Sequence, residues 1–143
     1  MMRGSVRKPT RILSRNPKSL ARQAAYRKGR VAEFYAALYY ILRGYAVVQS
    51  RYKTPLGEID LILKRGRNLV FCEVKARDTL DSGVLSVSAQ SRRRIEKAAL
   101  SFLTQHPKYI NDAYRFDVIS VVLWGKFLPI RLLRLDNAWD LGA

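Results

Sequence analysis

Residues 57–64 read GEIDLILK, 65–68 read RGRN and 69–76 read LVFCEVKA. Two runs rich in branched apolar residues flank a short glycine-bearing turn, which is the signature of a β-hairpin. With 65–68 as the turn, Lys64 pairs with Leu69. Counting back along both strands sets Asp60 opposite Glu73 and Glu58 opposite Lys75. Side chains alternate across a strand. Glu58, Asp60, Glu73 and Lys75 are therefore expected on one face, and Ile59, Leu61, Leu63, Val70, Cys72 and Val74 on the other. Directly opposed side chains stand about 4.5–5.5 Å apart at Cβ, where like charges destabilise a sheet. A divalent cation converts such repulsion into a ligand pair. Lys75 adds a fixed positive charge or an ammonium that orients water. The plainer alternative is a solvated strand face with a cross-strand ion pair, Glu58 to Lys75 being the simplest.

Outward from the hairpin, helical spacing of Val31, Tyr35, Leu38 and Ile41 or Leu42 predicts a helix over 19–43, capped by Ser19 and ended by Gly44. Gly29, Glu33, Ala36 and Ala37 lie on an adjoining face, small apart from Glu33, which permits close approach to a sheet. YAVVQSRY at 45–52 reads as a strand, with a turn at Pro55. A loop is expected over 77–87. Ile95, Ala98, Ala99, Phe102 and Leu103 then mark the core face of a helix over 88–105, ended at His106-Pro107. Strands follow at 114–123 and 128–135, joined through Gly125. The order α-β-β-β-α-β-β predicts an α/β domain: a central mixed sheet of about five strands flanked by helices.

Charge limits the partners. The 143 residues carry a net charge of +16, which implies a polyanion or anionic surface. Residues 1–30 hold ten Lys or Arg and no acid, so the rest is only moderately basic. We expect residues 1–18 to be a basic flexible tail and 19–143 a single domain. The tail suits phosphate contact, and its Arg-rich, acid-free character also suits an organellar transit peptide. No apolar run reaches the roughly 18 residues of a membrane span, so no membrane partner is expected. Cys72 is the sole cysteine and fits a reducing, cytoplasmic setting. With one histidine, His106, any metal would be a hard cation on carboxylates. Four glutamates occur, and Glu58 and Glu73 fall on the polar hairpin face. Glu33 can reach them if the first helix packs over the sheet.

Gly57-Glu58-Ile59-Asp60-Leu61-Ile62 followed by Phe71-Cys72-Glu73-Val74-Lys75 resembles the PD-(D/E)xK nuclease superfamily, and more narrowly the bacterial YraN-type family of uncharacterised endonuclease-like proteins. Gly29 to Glu33, Ser86 to Ile95 and Arg115-Phe116-Asp117 extend the resemblance over about 25–140. It implies a restriction-endonuclease-like fold, with Mg²⁺ or Mn²⁺ on Asp60 and Glu73 and a water oriented by Lys75. The chain is also similar to archaeal Holliday junction resolvases, in which a glutamate of the N-terminal helix joins the site; Glu33 matches it. Two departures stand out. No proline directly precedes Asp60, and Ser91 stands where many members have lysine.

The function so implied is Mg²⁺-dependent hydrolysis of phosphodiester bonds in DNA, including branched DNA such as Holliday junctions. Cutting a junction takes two active sites and hence a homodimer. Arg92, Arg93, Arg94, Lys53 and Arg77 are the candidate nucleic-acid contacts, and Glu58 a further site candidate. The alternatives are a nucleic-acid-binding protein that keeps the fold without turnover, DNA being favoured over RNA, and an assembly partner held on a nucleoprotein complex by charge. Arg115 and Asp117 read as structural, and the tyrosines at 26, 35, 39 and 40 as core or helix surface.

Overall fold

A computed structural model describes residues 16–79, 86–124 and 128–141. The basic stretch 1–15, the middle of the loop expected over 77–87 and the turn at Gly125 lie outside the described residues. Five strands form one sheet in chain order: β1 (Ala46–Thr54), β2 (Gly57–Arg65), β3 (Asn68–Arg77), β4 (Ala113–Trp124) and β5 (Leu128–Leu135). Neighbours are antiparallel except β3 and β4, which run parallel. A parallel pair needs a crossover, and helix α2 (Ala89–Gln105) supplies it. Helix α1 (Pro17–Ile41) precedes the sheet. This α-β-β-β-α-β-β mixed architecture is consistent with the restriction-endonuclease-like fold. Among the described residues no helix is long and apolar enough to cross a membrane.

Each face of the sheet has its own core. One joins Ile59, Ile62, Leu69, Phe71, Phe116 and Val118 to the α2 residues Ile95, Ala98, Ala99, Phe102 and Leu103, the helical face expected from spacing. The other joins Leu61, Leu63, Val70, Cys72, Ile119 and Val121 to Ala32, Ala36 and Tyr40 of α1. With both faces covered, β3 and β4 read as nearly continuous apolar runs.

Helix α1 departs from expectation twice. It begins at Pro17 because Asn16, not Ser19, caps it: the Asn16 side chain accepts from the Lys18 N–H at 3.0 Å, and proline is favoured in the first turn, where its missing N–H has no partner to lose. The expected boundary at 18/19 therefore falls inside the helix. The buried line is Ala32–Ala36–Tyr40, whereas Leu38, Ile41 and Leu42 are exposed. Two alanines at i, i+4 let the helix lie close to the sheet, and the bulkier residues splay outward. Gly44, at φ +87°, turns the chain into β1.

The hairpin register is the expected one from Leu61↔Cys72 to Lys64↔Leu69, with one further pair, Arg65↔Asn68. The turn is therefore the two residues Gly66-Arg67, with Gly66 at φ +59°. The expected division into a polar and an apolar face is corrected. Ile62, Leu69 and Phe71 share the alternation of Asp60 and Glu73 yet are buried, and Ile59 sits in the core opposite to that of Leu61. The polar face thus narrows to the open end of the hairpin. The cause is α2, which packs over Ile62, Leu69 and Phe71; nearby, Arg51 of β1 has a left-handed backbone at φ +53° and forms no ladder pair with Asp60.

Two contacts lock the layers. Buried Asp117 accepts from the Tyr40 hydroxyl at 2.7 Å, from Arg115 Nε at 2.9 Å and from the Asn137 N–H at 3.0 Å. Trp139 stacks on Phe116 at 4.9 Å and donates to Glu96 at 3.1 Å. Trp139 is therefore a core residue, while Trp124 is exposed. At Gly57 a Cβ would stand 2.0 Å from the Arg94 carbonyl oxygen of α2, so β2 and α2 touch backbone to backbone. At Gly29 a Cβ would meet nothing within 4 Å. Gly57→Ala is expected to cost about 3 kcal/mol, the upper end for overpacking, because backbone cannot yield as a side chain does. Gly29→Ala is expected to gain about 0.5–1 kcal/mol from helix propensity. Urea unfolding of both variants checks the pair; equal effects would contradict the close approach.

Candidate functional site

The site lies where β2 leaves β3. Their ladder ends at Leu61↔Cys72, one pair short of Asp60 and Glu73, while β3 continues alone beside β4 to Arg77↔Val122. At this fork the Val74 N–H donates to Asp60 Oδ2 at 2.8 Å. A carboxylate thus takes the place of a backbone acceptor and holds the strands apart. The Asp60 and Glu73 carboxyls lie close enough for each to shift the pKa of the other. Partial burial raises both from their ordinary values, and the Asp60 charge helps push Glu73 up to about 8.

Glu33 of α1 reaches the same place from above the sheet. Burial, then Asp60, raises its pKa, and Arg51 Nε pairs with it at 3.2 Å. Lys75 is partly buried; burial and Arg77 lower its pKa against the attraction of Glu73. Ser120 faces Lys75 in the β3–β4 register. It is buried, and its hydroxyl has no hydrogen-bond partner among the described residues. The structure thus brings Glu33, Asp60, Glu73 and Lys75 together. Glu58 is placed differently from expectation: it pairs with Lys53 across β1–β2, not with Lys75, because the β2–β3 ladder has already ended. Its charge still reaches Asp60 and Glu73.

The basic candidates divide. Arg93 and Arg94 are exposed on the first turns of α2, and Lys53 is exposed on β1. Arg77 is partly buried and bonds locally to the Ala76 carbonyl at 3.1 Å. Arg92 is engaged inside the fold, where its Nε donates to the Val87 carbonyl at 3.0 Å and its guanidinium lies over Trp139. Sequence reasoning missed Arg51 and Ser120, and it placed Tyr26 in the core or on the helix surface. Tyr26 is 58% exposed and accepts from Arg51 at 3.1 Å beside the fork. No local signal announces a left-handed arginine or an orphaned serine.

As a donor set, two partly buried carboxylates suit a hard cation. Neither Asp60 nor Glu73 forms a salt bridge among the described residues. Nor do the described residues contain a group of three or more acidic, His or Cys side chains spaced to ligate a metal. Two carboxylates with the remaining positions left to water or substrate is the habit of Mg²⁺ rather than Ca²⁺.

Residues 32–121 match the model of the uncharacterised protein family UPF0102. A UPF0102 protein of Chelativorans sp. (strain BNC1) is 46% identical over 103 residues, covering 72% of this chain and 83% of the relative. One from Paramagnetospirillum magneticum is 42% identical over 128 residues, 86% of this chain and 95% of the relative. One from Parvibaculum lavamentivorans is 46% identical over 117 residues, 81% and 84%. None of these names states an activity.

The raised Glu73 pKa sets a pH dependence. Glu73 titrates at about 8 in the folded chain against an ordinary 4.5. Between those values the folded state holds a proton that the unfolded state has lost, so this group's contribution falls as pH rises through the window. Glu73→Gln removes it. In chelator, the melting temperature of Glu73→Gln is expected to gain on that of wild type between pH 5 and pH 8. A gap independent of pH would refute the raised Glu73 pKa.

Proposed function

Because the chain belongs to the uncharacterised protein family UPF0102, whose name carries no chemistry, we propose its function from the site itself: a metal-dependent nuclease hydrolysing phosphodiester bonds in DNA. The observation that carries this reading is the Asp60–Glu73 pair at the open end of the hairpin, with Lys75 two residues on along the same strand. A divalent cation would offset the mutual repulsion of these two carboxyls. Asp60 and Glu73 would hold Mg²⁺ or Mn²⁺. When bound, such a cation supplies Lewis-acid stabilisation of charge on the phosphate and a more acidic water.

The chain's own residues do the rest. Lys75 has a lowered pKa and sits beside Glu73, where its ammonium orients water and opposes charge developing on the phosphate. Glu33, anchored by Arg51, adds a carboxylate from the helix side. Arg93, Arg94 and Lys53 are free to reach flanking phosphates. Branched DNA is the substrate class that the resemblance to junction resolvases implies.

A non-catalytic nucleic-acid-binding protein is the second reading. Two observations favour it: the net charge of +16, and the lack of a preassembled three-ligand group among the described residues. Cleavage of end-labelled four-way junction, flap, single-stranded and duplex DNA, with Mg²⁺ or Mn²⁺ and with chelator, separates the two. Asp60→Asn is expected to lower metal-dependent cutting more than about 100-fold, the scale of losing one preorganised electrostatic group, with binding retained. Equal cutting by wild type and variant would sink the nuclease reading. No cutting under any condition, with tight binding throughout, would support the second. In either case Arg93→Ala and Arg94→Ala are each expected to flatten the log–log salt dependence of duplex binding by about 0.9.

A further inference from the structure

The first eleven residues of α1, 17–27, are all exposed, so this half of the helix extends past the sheet. It carries Lys18, Arg22, Arg27 and three alanines, and Tyr26 is its one aromatic side chain. Nothing in the core needs that ring. The Tyr26 hydroxyl accepts from Arg51, whose guanidinium carbon lies 5.0 Å from the ring centroid. Arg51 itself has a left-handed backbone and forms no ladder pair with Asp60 across β1 and β2. Backbone strain of this kind costs of order 1–3 kcal/mol and persists where the surroundings over-determine it, as at ligand clamps. Here it aims one guanidinium at both Tyr26 and Glu33.

Between these groups lies a cavity of about 170 Å³, lined by Tyr26, Arg51, Lys53, Glu58, Ile59 and Asp60. That is close to the ~150 Å³ of an apolar cavity known to take one benzene ring. It has room for one flat ring system and not for a base pair. Two carboxylates line it, so a phosphate would be repelled. An aromatic ring, a planar guanidinium and the apolar Ile59 offer stacking surface, and Glu58 offers an acceptor for an exocyclic amine. Lys53 at the rim can meet the backbone phosphate of the same nucleotide.

We propose that this cavity binds a single unpaired nucleobase, stacked on Tyr26 and Arg51, next to the strand that lies across the Asp60–Glu73 fork. The inference rests on the reading above for the presence of a nucleic-acid strand there, and it deepens that reading: the substrate is a strand with an unpaired nucleotide beside the scissile phosphate, as at a flap, bulge or junction crossover.

The test measures binding in chelator, so that it does not depend on cleavage. A short labelled duplex carrying one unpaired adenine is compared with the same duplex carrying an abasic residue at that position, and with the fully paired duplex. The protein is wild type, Tyr26→Ala or Tyr26→Phe. Wild type and Tyr26→Phe are expected to prefer the unpaired adenine over the abasic site by roughly 5- to 100-fold, the range for one base stacked on an aromatic side chain. Tyr26→Ala is expected to lose that preference while binding paired duplex as before. A 2-aminopurine at the unpaired position is expected to be quenched by wild type and not by Tyr26→Ala. Equal affinity of wild type for adenine and abasic duplexes, or a preference that survives Tyr26→Ala, would overturn the pocket. A base preference without any metal-dependent cutting would leave the pocket standing and reject the nuclease; cutting without the preference would do the reverse.

Discussion

The hydrogen bond from the Val74 N–H to the Asp60 carboxylate terminates the β2–β3 ladder and sets up everything chemical in the molecule. An N–H on a central strand must find an acceptor. Here it finds a side chain, which lets β2 depart while β3 runs on beside β4. The strands open into a fork, and the residues at its edge, Asp60 and Glu73, stand at the open end of a sheet whose central strands are covered on both faces.

Helices packed on both faces hold the strands that form the fork. Asp117 is the tie between layers: fully buried, it takes hydrogen bonds from α1 through Tyr40, from β4 through Arg115 and from the segment after β5 through Asn137. Removing one partner of such a buried charged pair typically costs about 3–5 kcal/mol, because the other is left uncompensated. The same tie holds α1 against the sheet at Tyr40, two turns from Glu33. Glu33 therefore enters the site on a helix anchored at its far end, and its Arg51 partner rises from β1 to meet it.

The electrostatics invert those of the whole chain. A protein of net charge +16 concentrates Glu33, Glu58, Asp60 and Glu73 around one fork. Burial and mutual repulsion raise the pKa values of Glu33, Asp60 and Glu73. Lys75 and Arg51 offset only part of that repulsion. A basic chain thus surrounds a carboxylate cluster whose own charges repel one another.

Much of this was legible in the sequence. The hairpin register followed from a short turn between two branched runs, and it carried Asp60 toward Glu73 without tertiary information. The core face of α2 followed from 3.6-residue periodicity, because a helix on a sheet has one apolar stripe to bury. Other features belonged to the tertiary structure alone. Local pattern cannot say that Ile62, Leu69 and Phe71 are buried on the alternation of the acidic residues, since it cannot see that α2 covers that face. It cannot foresee a left-handed Arg51, because that conformation is unfavourable in isolation and is held only by the groups its side chain reaches. Nor could it distinguish Ala32–Ala36–Tyr40 from the bulkier apolar line of α1, because the choice depends on how close the helix lies to the sheet. The residue types and the spacing of the chemistry were thus determined by sequence. The fork, the cavity beside it and the neighbours of each charged group were decided only when two helices closed over opposite faces of one sheet, since contacts between distant segments have no local signature.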